Sequence, residues 1–245
     1  MLIAALLAAL FLLPPLALEL AVGLILLAAA HEWARLCGLA RSAALVFAAA
    51  VAVAFFALAR AGPAAPVFAA ATLFWIVLAP PWMWRGMRPG KAPWLAAAGF
   101  AVLVPAGLAM VVLRPLEVLL VLLLVWIADT AAYFVGRAWG KRKLAPAISP
   151  GKSWEGAIGG VVGAAAYAII CANFIQGIAW PAFLAAAVLL AMVSIVGDLF
   201  ESAAKRQAGV KDSGTLLPGH GGILDRIDSA TAVLPLAALL WPMIR

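Results

Sequence analysis

The sequence predicts an all-α fold: a polytopic helical integral membrane protein with about eight or nine transmembrane helices. Three observations lead there. Hydrophobic residues make up 67% of the 245 positions and charged residues 11%, with a mean hydropathy of +1.13, which is more apolar material than a soluble core can bury. Apolar runs close to bilayer-crossing length recur along the whole chain, whereas a membrane barrel would show shorter, alternating segments. The basic residues fall between these runs in a one-sided pattern, which argues for topology rather than for nucleic acid despite a pI near 10.0.

Taken in order, the first apolar run is broken by Pro14 and Pro15 into 2 to 13 and 16 to 30. Both pieces are short, and two prolines suit either one kinked helix or a tight hairpin. No basic region precedes this run, so it reads as a retained span rather than a cleaved leader. Further spans are predicted at 43 to 59, 66 to 82, 93 to 113, 116 to 135, 156 to 175, 180 to 200 and 223 to 244. Trp82, Trp84, Trp94, Trp139 and Trp154 lie near predicted span edges, as an aromatic belt requires. Gly156, Gly160 and Ala164, with Gly159 and Gly163, form small-xxx-small spacings that suit close helix packing, a homodimer face being the alternative use. Cys37 and Cys171 lie far apart in apolar surroundings, without metal or redox spacing, and read as packing residues. The chain is read as a single membrane-embedded domain, 1 to 245, with N-terminal spans in 1 to 115 and the polar machinery in 116 to 245.

Threading the spans back and forth puts the loops 31 to 42, 83 to 92, 136 to 155 and 201 to 222 on one side. They and the adjacent Arg226 hold every basic residue except Arg60, Arg114 and Arg245. By the positive-inside rule that face is cytoplasmic. Attraction to anionic headgroups accounts for Arg35, Arg41, Arg85 and Arg88. It does not account for the last two loops, which also bring acids, serines, a histidine and a run of glycines.

Asp129, Asp198, Asp225 and Asp228 lie within or at the ends of apolar segments, where an ionised carboxylate is costly unless paired or metal-bound. Asp198, Ser202 and Lys205 follow i, i+4, i+7 spacing and share one helical face, with Glu201 beside them, while Asp225 and Asp228 share another. Carboxylates so placed suit a hard, oxygen-bound cation. PGHGG at 218 to 222 precedes the last helix, where free N–H groups and the helix dipole favour a phosphate. Lys152, Lys205, Arg206, Lys211 and Arg226 would neutralise further phosphate charge.

The stretch SAAKRQAGVKDSGTLLPGHGGILDRID, Ser202 to Asp228, resembles the defining motif of phosphatidate cytidylyltransferases, also called CDP-diacylglycerol synthases. The likeness extends to GDLFES at 197 to 202, ADTAAYFVGR at 128 to 137 and KLAPAISPGKSWEGAIGG at 143 to 160, roughly the C-terminal half. Two positions depart from the family pattern: Ala204, where a larger apolar residue is usual, and Ala131 or Ala132, where Gly is expected. The resemblance implies transfer of the cytidylyl group of CTP to phosphatidate, giving CDP-diacylglycerol and pyrophosphate, with Mg²⁺; whether a second, monovalent cation joins it is left open by the sequence. On that basis Asp198 and Asp225 are expected as principal metal ligands, assisted by Ser202 and Asp228. Lys205, Lys211, Arg206, Arg226 and Lys152 are expected to hold phosphates, with His220 and the backbone of Gly219, Gly221 and Gly222 around them. Asp129 is expected to orient a basic residue or reach the metal. Phosphatidate resides in the bilayer and CTP in the cytoplasm, so the expected setting is a bacterial inner membrane with the site facing inward, membrane lipids as neighbours and no nucleic-acid partner. Two rivals are a CTP-dependent isoprenoid-lipid kinase, which would transfer the γ-phosphoryl group, and an ion-coupled transporter, against which the carboxylates cluster at one face and no inverted repeat is visible.

Overall fold

The computed structural model describes residues 2–87, 92–175, 177–216, 219 and 221–244. Arg88, Lys91, His220 and Arg245, all part of the sequence expectations, lie outside the described residues. The helices are α1 (Leu2–Leu12), α2 (Pro15–Leu36), α3 (Arg41–Arg60), α4 (Ala65–Leu73), α5 (Ala79–Trp84), α6 (Ala92–Val112), α7 (Pro115–Trp139), α8 (Trp154–Ala172), α9 (Trp180–Gln207) and α10 (Leu224–Ile244). Among the described residues, eight segments are long and apolar enough to cross a membrane. The polytopic all-helical expectation therefore holds.

The proline pair separates two helices: Pro14 is extended, with φ −64° and ψ 155°, and Pro15 starts α2, where its missing N–H costs nothing. At about 1.5 Å per residue the eleven residues of α1 fall well short of the hydrocarbon core. α4 and α5 make one span, joined by a π-helical turn, Phe74–Leu78, that falls just before Pro80 and Pro81. Prolines there cannot donate to the preceding turn, and a widened turn accommodates the break.

Three differences from the expected spans bear on the site. α2 runs six residues past the predicted end at 30 and takes in Glu32. α9 runs to Gln207, which keeps Glu201, Ser202, Lys205 and Arg206 on a regular helix. The loop between α7 and α8 is not plain coil but a short antiparallel hairpin, β1 (Lys143–Ala145) and β2 (Ser149–Ser153), with Lys143 opposite Ser153 and Ala145 opposite Ser149. Its base is tied by the Glu155 carboxylate, which accepts from the N–H groups of Lys141 (3.1 Å) and Arg142 (3.2 Å). Ser153 caps α8 by accepting from Gly156 N at 3.1 Å.

The glycine pattern of α8 is spent inside the chain. A Cβ at Gly156 would stand 2.8 Å from Ala132 O, and one at Gly160 2.9 Å from Ala128 O, so α8 rides directly on the backbone of α7. Gly160→Val is expected to lower stability by about 1–3 kcal/mol through overpacking. Gly151→Ala, where a Cβ meets nothing within 4 Å, should stay within about 0.5 kcal/mol of the parent. Thermal unfolding in detergent compares the two. Cys37 packs at 6% exposure, and burial pushes its thiol up to about 12, in keeping with a packing role.

Phe200 anchors the polar end of α9. Fully buried, it is surrounded by Trp33, Phe74, Trp75 and Trp82, with ring centroids 5.4 to 6.2 Å away. Trp33 is itself held by an Nε1–H bond to Leu95 O at 2.8 Å. With Phe200 fixed on one side of the helix, Asp198, Glu201, Ser202 and Lys205 are turned toward α10 and the hairpin.

Candidate active site

Where α9 crosses α10 the backbones nearly touch: a Cβ at Gly197 would lie 2.9 Å from Asp228 O. This brings the acids of the two helices together. Lys205 then closes the arrangement. Its Nζ lies 2.6 Å from Asp225 Oδ1 and 3.3 Å from Glu201 Oε1, with all three side chains nearly sealed from solvent. Asp225 Oδ2 accepts from the Gly222 N–H (2.8 Å), the Ser213 N–H (3.0 Å) and the Ser213 hydroxyl (3.0 Å).

A second cluster lies one helical turn along α9. Asp198 pairs with Lys152, delivered by β2, and accepts from the Ser202 hydroxyl at 3.3 Å. This pair is about 28–29% exposed. Asp129 on α7 and Asp228 on α10 both lie within electrostatic range of Asp198 and Lys152. Four elements that are remote in sequence thus face one polar space.

The expected site residues distribute unevenly over this geometry. Asp129, Lys152, Asp198, Ser202, Lys205, Asp225 and Asp228 are brought together. Arg206 is turned aside: its Nε bonds Ile148 O at 3.3 Å and its guanidinium reaches Val210 O at 3.2 Å, tying the hairpin and the following loop to α9. Lys211 and Arg226 are exposed. Gly219 and Gly221 have φ of +72° and +82°, and a Cβ at Gly221 would meet Asp225 Oδ2 at 2.8 Å. The expectation of free N–H groups at the start of the last helix is corrected. The Gly222 N–H donates to Asp225, and those of Ile223 and Leu224 donate to Glu32, each at 3.0 Å. Negative side chains have already taken the favourable end of the dipole.

Glu32, Ser213 and Glu201 are the polar residues that sequence reasoning passed over or left without a role. Glu201 lies beside the Asp198, Ser202 and Lys205 face, and its burial, at 3% exposure, is a tertiary effect. Glu32 sits at the edge of a span, where a lone acid is unremarkable, and its partners are 181 to 192 residues away.

Mg²⁺ can be tested against these residues. Five carboxylates, Asp129, Asp198, Glu201, Asp225 and Asp228, face two ammonium groups, Lys152 and Lys205, and oxygen donors in excess of cations suit a hard divalent ion in kind and in charge. The donors are not drawn into a closed set, since among the described residues no three acidic, histidine or cysteine side chains converge enough to hold a metal. Asp225 and Asp198 each have both oxygens engaged, but Asp198 is the more exposed of the two, at 29% against 9%, and Asp228 accepts from the Ser229 N–H through Oδ1 at 2.7 Å.

Beside this polar space lies an open cavity of about 1150 Å³, lined by α5, the hairpin, α8 and α9. Its walls are apolar, among them Met83, Ile158, Val162, Met192 and Val196, with Arg206 and Gln207 at its polar margin. That volume exceeds the roughly 300–1,000 Å³ of ordinary small-molecule pockets.

A helical bundle with carboxylates, lysines and an apolar cavity at one end defines a membrane protein equipped for a ligand that is both charged and oily. Residues 1–244 match the sequence pattern of the cytidylyltransferase family, and the chain belongs to that family. It is 44% identical, over 240 residues, to the phosphatidate cytidylyltransferase of Pseudomonas aeruginosa, covering 90% of this chain and 86% of that one. The phosphatidate cytidylyltransferase of Haemophilus influenzae is 53% identical over 122 residues, 48% of this chain and 42% of the relative. That of Brucella suis is 44% identical over 164 residues, 64% and 58% respectively.

Proposed function

We propose that this chain is a phosphatidate cytidylyltransferase, joining CTP to phosphatidate to give CDP-diacylglycerol and pyrophosphate. The observation that carries the reading is the placement of the Lys152, Asp198, Lys205 and Asp225 network next to an apolar cavity of about 1150 Å³ at the same end of the bundle. A phosphorylated lipid needs both environments at once. The bacterial relatives and the concentration of basic loops at this end support a bacterial inner membrane with the site facing the cytoplasm.

In the proposed reaction a phosphatidate phosphate oxygen forms a bond to the α-phosphorus of CTP, and the bond from that phosphorus to the bridging oxygen of the β-phosphate breaks. The attacking oxygen is already anionic, so no strong general base is required. The work left to the protein is in-line positioning and neutralisation of phosphate charge. Lys152 and Lys205 are the cations closest to that work, each held by a carboxylate that sets its position. Exposed Lys211 and Arg226 lie where they can draw in the polyphosphate. Asp198 and Asp228, with Ser202, are the residues that would hold Mg²⁺, which when bound supplies further neutralisation of phosphate charge.

The test uses purified protein in detergent with phosphatidate, Mg²⁺ and CTP labelled at the α-phosphate, following label into the lipid phase. Lipid label is expected with the parent and loss of it with Asp225→Asn, which disturbs a carboxylate accepting four bonds. Label that enters the lipid only from γ-labelled CTP, with an isoprenoid alcohol as acceptor, would replace this reading with a lipid kinase.

A further inference from the structure

We propose that Glu32, contributed by the N-terminal half of the chain, is a positioning residue that sets the Asp225–Lys205 pair for turnover. The proposal rests on the reading of the site given above.

Glu32 is 6% exposed near the end of α2. Its Oε1 accepts from the Ile223 N–H at 3.0 Å, and its Oε2 from the Leu224 N–H at 3.0 Å and the Ser213 hydroxyl at 2.9 Å. Leu224 is the first residue of α10, so a side chain from another helix caps α10 and meets the positive end of its dipole. An uncapped helix end buried at this depth would leave those donors unsatisfied.

The Ser213 hydroxyl carries the link onward. It stands 2.9 Å from Glu32 Oε2 and 3.0 Å from Asp225 Oδ2, and one hydroxyl has one proton to give. The two carboxylates therefore share it. Each also holds backbone donors of the same segment: Ile223 and Leu224 for Glu32, Gly222 and Ser213 for Asp225. From Asp225 the chain of contacts passes to Lys205 and Glu201 on α9. Ser213 and the segment Gly222 to Leu224 are thus held by both acids, and Gly222 is packed between them: a Cβ there would fall on the Ser213 hydroxyl and the Glu32 carboxylate. Only a residue without a side chain lets both acids approach.

A neutral amide at position 32 has one acceptor oxygen, and its NH₂ would face an N–H group. Glu32→Gln is therefore expected to loosen the start of α10 and let Asp225 and Lys205 drift. Ser213→Ala is the gentler probe, because it cuts the shared hydroxyl while leaving the Glu32 cap on Ile223 and Leu224 in place. For both variants, purified in detergent and confirmed monodisperse, kcat is expected to fall roughly 10- to 100-fold with KM for CTP and phosphatidate little changed. The double variant should be no slower than the slower single one, since both cuts lie on one chain of contacts. Amide hydrogen exchange in residues 222 to 226 should be faster in Glu32→Gln than in the parent.

Parent-like kcat in folded Glu32→Gln, a loss confined to KM, or multiplicative losses in the double variant would overturn the proposal. If the parent itself makes no labelled lipid, the functional reading fails on its own. The exchange measurement still decides the positioning claim in that case, because unchanged protection at 222 to 226 in Glu32→Gln would sink it.

Discussion

Lys205→Met is expected to abolish lipid labelling and to destabilise the protein by about 3–5 kcal/mol, the cost of stripping one partner from a buried ion pair. Lys205 is the cation between Glu201 and Asp225, at 3.3 and 2.6 Å, and the three side chains are 11%, 4% and 9% exposed. Neither oxygen of Glu201 has an aligned hydrogen-bond donor among the described residues, and Lys205 Nζ, at 3.3 Å from Oε1, is the cation that faces it. Methionine fills a similar volume but removes the charge and the hydrogen bond to Asp225. Both carboxylates would then have to take up a proton or draw in water. Thermal unfolding in detergent measures the stability loss, and a variant as stable as the parent would show that this ammonium does not balance the two acids.

Asp198→Asn should separate activity from stability. Its partner Lys152 is 28% exposed and Asp198 itself 29%, so the pair is solvent-screened and its removal is expected to cost only about 0–1 kcal/mol. Turnover is a different matter. Asp198 orients Lys152 at the end of β2, accepts from Ser202, and is a proposed Mg²⁺ ligand, so a fall in kcat of about 10²–10³-fold is expected. Folded Asp198→Asn with near-parent kcat would remove Asp198 and the Lys152 contact from the proposed machinery. The contrast with Lys205→Met comes from burial rather than residue type, since one pair sits among packed helices and the other at the rim of the polar space.

Much of this site was legible along the chain. The i, i+4, i+7 spacing of Asp198, Ser202 and Lys205 put them on one helical face, and acids inside apolar segments marked Asp129, Asp225 and Asp228 as residues needing a partner. The free N–H groups expected before the last helix were misread, because their takers lie elsewhere: Asp225 folds back on Gly222, and Glu32 arrives from α2. Arg206 was expected at a phosphate and instead holds Ile148 and Val210, a choice that depends on where the hairpin rests. The hairpin itself was hidden in a basic loop whose short strands carry no periodicity long enough to read.

The sequence by itself determined the membrane-spanning class, the polar end of the bundle and the helical faces that carry its acids, because hydropathy and helical periodicity are properties of neighbouring residues. Only the tertiary structure decided which acid meets which donor. Those pairings join positions 12, 20 and 192 apart, and a hydrogen bond or buried ion pair forms only where the packing of α2, α9 and α10 brings two atoms to about 3 Å.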